Sequence, residues 1–259
     1  MKRTLKYVGF GFAVLLGVSA AVVGLTFSGL QPASDGDELN QIRIVTSGTG
    51  STVGIVPIGE AAVALIDAGS DATGAPILAD LEKRGLTAES VKAILFTHGH
   101  FDHIAAAGVF PQAQLLALAP EADLIAGLKK PRGPVVRFFP VKPTGLNVTR
   151  TLKEGEPLML GDTTIKVFAV PGHTAGSAAY LINGILFLGD SADATAKGKL
   201  QSGHWIFCDD LAENEASLRS LVDKIVAQGE VVQALAFAHS GMLRDGLAPL
   251  SAWISDQDD

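Results

Sequence analysis

The segment THGHFDH, residues 97–103, places three histidines and an aspartate within six consecutive positions, although the 259-residue chain has only six histidines. It directly follows VKAILF, an apolar run typical of a buried strand. In extended backbone, side chains two apart point the same way, so the first two histidines face one side of the strand's end. A helix that begins at about residue 102 would bring the other two side chains to the same place. The four side chains are His98, His100, Asp102 and His103.

Imidazole and carboxylate groups that converge in this way suit zinc, with iron or manganese as alternatives. The competing interpretation is a solvated, histidine-rich turn. Three further ligand-type residues favour the metal site, because each comes just after an apolar run, where α/β proteins usually place ligand groups. They are His173 after IKVFAV, Asp190 at the end of ILFLGD, and His239 after ALAFA. His204, in QSGHWIF, has no strand before it and is either a substrate contact or an ordinary loop residue.

Between these motifs the chain alternates strand-like and helix-like segments. The runs IRIVTS (42–47) and STVGIVPIG (51–59) are strand-like, whereas APILADLEK (75–83) has helical apolar spacing. The pair Asn183-Gly184 predicts a hairpin, and residues 213–229 predict an amphipathic helix. The order predicts an α/β sandwich with layered sheets.

The N-terminus differs from the rest of the chain. Residues 7–30 hold no charged side chain over 24 positions, and Lys2, Arg3 and Lys6 precede them. A helix of this length spans about 36 Å, more than the roughly 30 Å hydrocarbon core of a bilayer. We expect residues 1–30 to be a membrane anchor with the domain outside the cytoplasm, periplasmic in a bacterium. The triplet at 18–20, Val-Ser-Ala, resembles a cleavage site, so a signal sequence and a secreted protein remain the alternative.

After the anchor we expect a polar linker at 31–41 and one domain over 42–259. Residues 31–259 carry 17 basic and 27 acidic side chains, a net charge of −10. This charge argues against nucleic acid as a partner, and no motif indicates a protein partner. The single cysteine, Cys208, excludes an internal disulfide and is expected to pack in the interior.

The motifs THGHFDH, PGHT, GD and AHSG, with LIDAG before them, resemble the metallo-β-lactamase superfamily. The resemblance covers residues 42–241, with the motifs in the family's order. It implies a four-layer αββα sandwich with two divalent metal ions, zinc first among the candidates, in a groove at the sheet edges. The implied ligands are His98, His100 and His173 for the first ion, Asp102, His103 and His239 for the second, and Asp190 for both. Asp67 of LIDAG would support the ligand loop by hydrogen bonding.

That ligand set implies hydrolysis of a small-molecule substrate by a metal-activated hydroxide. Asp102 would both bind metal and relay the proton of the nucleophile. No serine nucleophile is required, and the chain has no Gly-x-Ser-x-Gly elbow.

Members of the family catalyse many different reactions, and Asp190 reduces the number that we expect of this chain. The family's true β-lactamases usually have cysteine or serine at this point, so the aspartate favours a hydrolase of esters, lactones or thioesters. The 18 residues after Gly241 lead us to expect no extra helical domain of the glyoxalase-II kind. The alternatives are a β-lactamase, a mononuclear iron persulfide dioxygenase, and a non-catalytic binding protein. About two zinc ions per chain would favour hydrolysis and about one iron would favour oxygenation.

Residues 129–148 form a long segment with no regular pattern, the kind of connection that often serves as a lid or binding loop. Phe138 and Phe139 lie there beside five basic residues, Lys129, Lys130, Arg132, Arg137 and Lys142. The mixture suits an acyl or aromatic substrate that carries a carboxylate. The alternative is a basic surface loop whose phenylalanines attach it to the core.

Overall fold

The structure, a computed structural model, describes residue 24 and residues 26–48 and 50–258. Its strands are β1 (Glu38–Leu39), β2 (Ile42–Ser47), β3 (Ser51–Gly59), β4 (Ala62–Ile66), β5 (Val91–Leu95), β6 (Gln114–Leu118), β7 (Arg150–Leu152), β8 (Leu158–Leu160), β9 (Thr163–Ala169), β10 (Ala178–Ile182), β11 (Ile185–Phe187), β12 (Ala192–Ala194), β13 (Leu200–Ser202) and β14 (Ala234–Ala236). Its α-helices over the described residues after Leu30 are α1 (Ala75–Lys83), α2 (Phe101–Ile104), α3 (Ala122–Ile125), α4 (Leu211–Ala227) and α5 (Ala248–Asp258).

The strands that the structure describes form two large sheets and a short ribbon. In the first sheet the order is β1-β2-β3-β4-β5-β6-β7, and the pairs from β4 to β7 are parallel. In the second sheet the order is β14-β11-β10-β9-β8, with only β11 and β14 parallel. The ribbon is β12 paired with β13.

Alternating apolar side chains place the sheets face to face. On β4, Ala64 and Ile66 pack into a core that both sheets share, with Val167 and Tyr180 from the second sheet. Their neighbours on β4 pack instead with Ile77 of α1, because successive side chains of a strand point to opposite faces.

The outer face of the second sheet is covered by α4 and α5, through Leu218, Leu221, Leu250 and Trp253. The layers therefore run helix, sheet, sheet, helix, and the predicted sandwich is confirmed.

Several local predictions are confirmed as well. The predicted helix at 75–83 is α1, and α4 begins after Asp210, whose side chain accepts a hydrogen bond from the backbone N–H of Glu213 at 3.0 Å. The hairpin turns at Asn183 (φ 47°) and Gly184 (φ 80°), the left-handed backbone that a two-residue hairpin loop of this kind requires.

The helix expected from about residue 102 is present but short, and the expected linker needs correction. The helix after residue 101 is a single turn, because the N–H groups of Ala105 and Ala106 donate to Gly69 and Ala68 rather than along the helix. The predicted linker at 31–41 is part of the folded unit Gln31–Asp259. It supplies the edge strand β1, and the backbone N–H of Thr46 donates to Asp35 at 2.9 Å, so hydrogen bonds join the segment to the domain.

Most of the predicted anchor, residues 7–23 and 25, lies outside the described residues. Among the residues that are described, no helix has both the length and the apolar character needed to cross a membrane. The anchor stays a prediction from the sequence.

Candidate metal centre

The seven ligand-type residues of the sequence motifs meet at one edge of the sandwich. They arrive from both sheets, on loops or turns that begin where strands end. His98 and His100 follow β5, Asp102 and His103 lie on α2, His173 follows β9, Asp190 follows β11, and His239 follows β14. This convergence agrees with the general tendency of α/β proteins to place ligand groups just beyond the ends of strands.

The first cluster consists of His98, His100, His173 and Asp190, whose ligand atoms lie within 4.8 Å of one another. Nε2 of His173 lies 3.1 Å from Nε2 of His98 and 3.0 Å from Nδ1 of His100. Ligands of a tetrahedral zinc ion at about 2.0–2.1 Å are separated by about 3.3 Å. The three imidazoles are therefore spaced as the ligands of a single ion would be.

The second cluster consists of Asp102, His103, His239 and again Asp190. Oδ2 of Asp102 lies 3.2 Å from Nε2 of His239. Oδ1 of Asp190 lies 3.2 Å from Nε2 of His103, whereas its Oδ2 lies 3.6 Å from Nε2 of His173 in the first cluster. The carboxylate of Asp190 thus presents one oxygen to each cluster.

The protonation of the histidines also fits a cation. Burial lowers the pKa of His98 and His100 and lowers that of His173 to about 3, so these imidazoles stay neutral with lone pairs to share. Burial alone would lower the pKa of His103 and His239, but Asp190 and the neighbouring carboxylates raise both well above their usual value. The second cluster therefore attracts positive charge, which a metal ion would supply.

Two buried atoms of the centre point to the same conclusion. Nε2 of His103 and Oδ1 of Asp190 lie 3.2 Å apart without the geometry of a hydrogen bond, and neither has another hydrogen-bond partner among the described residues. Buried polar atoms are normally satisfied. The residues present fit a metal site, and the carboxylate of Asp190 faces both clusters.

Asp67 lies beneath the second cluster. Its carboxylate accepts hydrogen bonds from the backbone N–H and the hydroxyl of Thr97, each at 2.7 Å, and its Oδ2 lies 2.8 Å from Nδ1 of His103. The residue is buried and has a φ of 61°, a left-handed conformation that aspartate tolerates better than most residues. This contact holds the His103 ring in one orientation.

Two buried residues touch the centre although the sequence did not single out either as part of it. Glu121 accepts a hydrogen bond from the backbone N–H of Gly99, between two of the ligands, at 2.7 Å. Cys208 is buried, as expected, and its Sγ also lies 3.6 Å from Nδ1 of His173. Burial, followed by the charge of Asp190, raises the pKa of this thiol to about 12, so it stays protonated. No local sequence pattern marks either residue.

The predicted substrate residues lie outside both clusters. Nε2 of His204 is 3.4 Å from Oδ2 of Asp193, a buried carboxylate that also accepts from the hydroxyl of Ser240. Phe138 and Phe139 are 75% and 53% exposed, at the end of a 3₁₀ turn in the 129–148 segment. Their exposure contradicts the alternative in which they attach the segment to the core.

The 129–148 segment is nevertheless tied to the centre. The backbone N–H and the side chain of Arg132 donate to Asp209 at 2.6 and 3.0 Å. The backbone N–H of Asp209 in turn donates to the carbonyl of His173 at 2.9 Å. Two hydrogen-bonding steps thus connect the segment with a residue of the first cluster.

Comparison with known proteins identifies the family. A model of the metallo-β-lactamase superfamily matches residues 47–234, more than half of the chain. The chain belongs to this superfamily, and the resemblance of its motifs is confirmed.

Curated relatives include a hydroxyacylglutathione hydrolase of Vibrio cholerae, 32% identical over 140 residues that cover 54% of this chain and 46% of that protein. Another is metallo-beta-lactamase domain-containing protein 1 of Mus musculus, 31% identical over 145 residues, covering 56% and 43%. The chain thus spans about half the length of the curated relatives it matches. Among solved structures, the subclass B3 metallo-β-lactamase of Bradyrhizobium japonicum aligns with a TM-score of 0.62 at 18% identity, over 89% of this chain and 95% of that one. This likeness concerns the fold alone.

Proposed function

We propose that the protein is a metal-dependent hydrolase of a small ester, lactone or thioester. The observation that carries the proposal is the carboxylate of Asp190 between the two clusters, with Oδ1 3.2 Å from His103 and Oδ2 3.6 Å from His173. A shared carboxylate suits two divalent ions, for which zinc is the first candidate. When bound, such a pair supplies a hydroxide at neutral pH and polarises the carbonyl of the substrate.

The side chains of the two clusters would have different roles in metal binding and proton transfer. The three buried imidazoles of the first cluster would hold one ion and shield it from solvent. Asp102 has a different setting, because its side chain is 35% exposed. Burial would raise its pKa, but the imidazoles of His103 and His239 hold that pKa below its usual value. An ionised carboxylate at the solvent edge can accept a proton from the attacking water and release it to the leaving group.

The proposed substrate class is argued from the exposed side chains of the 129–148 segment. Phe138 and Phe139 offer exposed apolar surface, and Arg137 stacks on the ring of Phe138 with its guanidinium carbon 4.9 Å from the ring centroid. Apolar surface beside positive charge suits an acyl group that carries a carboxylate. Several curated relatives are named hydroxyacylglutathione hydrolase, which supports a thioester as the first substrate to test.

The test combines metal analysis with a substrate panel. Purified protein from metal-replete growth should hold one to two transition-metal ions per chain. It should hydrolyse at least one acyl thioester, lactone or ester, and a chelator should abolish the activity until metal is restored. Protein without metal would refute the proposal. One iron per chain with oxygen consumption on a persulfide would establish the dioxygenase instead, and turnover of β-lactams alone would establish a β-lactamase.

We also infer that residues 7–30 tether the protein to a membrane, with the domain on the extracytoplasmic side. The support is the uncharged run of 24 residues with Lys2, Arg3 and Lys6 on its N-terminal side. Protease added to intact cells or spheroplasts should digest the membrane-bound domain. Full-length protein in the cytoplasmic soluble fraction would contradict the topology, and a shortened protein in the medium would show a cleaved signal.

A further inference from the structure

Glu121 is a buried acidic residue outside the ligand set. It ends the short turn between β6 and α3 and is 1% exposed. Oε2 accepts from the backbone N–H of Gly99 at 2.7 Å, and Oε1 accepts from the backbone N–H of Gly176 and the hydroxyl of Thr174, each at 2.8 Å. Burying a carboxylate is unfavourable unless hydrogen bonds replace its hydration, and these three donors do so.

The three donors belong to the two loops that carry the histidines of the first cluster. Gly99 lies between His98 and His100, and Thr174 directly follows His173. One carboxylate therefore joins the two chain segments that supply the three histidines of the first cluster. Asp67 plays no part in this link, since it contacts Thr97 and His103.

The packing around Glu121 is as close as the hydrogen bonding. A Cβ at position 99 would lie 2.9 Å from Cγ of Leu124, in the helix that follows Glu121. A Cβ at position 176 would lie 2.8 Å from Cγ of Glu121 itself. Both loops approach this segment so closely that only glycine fits, so Glu121 and α3 form a platform on which the ligand loops rest.

We propose that Glu121 is the positioning residue of the first cluster: it holds the backbone of the His98–His100 loop and of the His173 loop at the separation that one metal ion requires. The inference rests on the proposed metal centre and deepens it. All three partners of Glu121 are donors, and burial, which raises its pKa, is opposed by them. Glutamine has nearly the same size and shape, but its NH₂ group would face at least one of these donors. The substitution therefore tests the hydrogen bonds of Glu121 without changing the volume of its side chain.

The experiment uses cobalt(II), whose visible absorption reports its ligands, as the probe of each cluster in turn. In a His239→Ala background only the first cluster is complete, and in a His100→Ala background only the second. We expect Glu121→Gln to weaken cobalt binding about 10–100-fold in the first background, the usual effect of removing a partner that orients metal ligands, and to leave it unchanged in the second. Glu82→Gln, an exposed position on α1, is the matched control in both.

The outcomes separate a positioning role from a structural one. Equal loss of cobalt affinity in both backgrounds, or no loss in either, overturns the inference. If Glu121→Gln does not fold, Thr174→Val removes a single donor and should produce a smaller loss confined to the first cluster; a loss shared by both clusters would overturn the inference. Wild-type protein that binds no cobalt would refute the proposed function, whereas wild-type binding matched by Glu121→Gln refutes only the role of Glu121.

Discussion

The two ligand clusters are each backed by one buried carboxylate, but the two carboxylates act on different parts of the chain. Beneath the second cluster, Asp67 contacts the imidazole of His103 itself, with Oδ2 2.8 Å from Nδ1. Beneath the first, Glu121 accepts hydrogen bonds from the backbone N–H groups of Gly99 and Gly176 and from the hydroxyl of Thr174. Asp67 therefore sets the orientation and tautomer of the His103 ring, whereas Glu121 sets the path of two loops.

The clusters also differ in exposure and charge. His98, His100 and His173 are buried, and Asp190 is the one carboxylate of their cluster. The second cluster adds Asp102, whose side chain is 35% exposed. The first cluster is therefore closed off from solvent, whereas the second is partly open to it.

Replacing Asp190, which faces both clusters, should have the largest effect on metal content and activity. Asp190→Asn removes the charge that faces both clusters, so metal content should fall at both. Activity should fall by more than the about 10²–10⁴-fold that proton handling alone is worth. Elemental analysis and steady-state kinetics check this, and a variant that keeps full metal content and activity would show that Asp190 is not shared.

Asp102→Asn should affect the second cluster and spare the first. The substitution is nearly isosteric and removes the charge and basicity of the carboxylate, so kcat should fall about 10²–10⁴-fold. The melting temperature should change little, because the side chain is partly exposed. Kinetics and thermal melting measure the two effects, and an unfolded variant would identify Asp102 as structural.

Asp67→Asn should weaken the second cluster without removing a ligand. The amide would place an NH₂ group against Thr97 or His103, so the ring of His103 loses its fixed orientation. Metal affinity of the second cluster should fall about 10–100-fold, while Asp245→Asn, at an exposed position, should change nothing. Competition with a chelator in the His100→Ala background measures this. A loss in the His239→Ala background as well would show that Asp67 does not distinguish the clusters.

The smallest effect on the metal centre is expected from changes in the 129–148 segment. Replacing Phe138 and Phe139 together with alanine should change the ratio of kcat/KM between an apolar and a small acyl substrate by about tenfold, since one apolar contact is worth about that much. Metal content and melting temperature should remain those of the wild type, as for the exposed control Val231→Ala. Uniform loss on every substrate would restrict the segment to a structural role.

The two supporting carboxylates also differ in whether the sequence alone could predict their roles. Asp67 could be predicted because it lies in the motif LIDAG, which the resemblance connects with the ligand loop. Glu121 could not, because its partners lie 22, 53 and 55 residues away and two of them are backbone N–H groups. A backbone donor is present at almost every position, so nothing in the residue types marks these pairs.

The sequence by itself determined the sandwich and the ligand-type residues. Alternating apolar residues on β4 and β5 set which side chains enter which core, and the polar residues that follow the apolar runs then arrive at the ends of strands. It could not determine that residues 31–41 pair with the domain, that α2 stops after one turn, or that Glu121 joins two loops. These features depend on which distant backbone groups need a hydrogen-bond partner once the chain is folded. Only the tertiary structure decides that, because hydrogen-bond partners are selected by distance in space and not by separation along the chain.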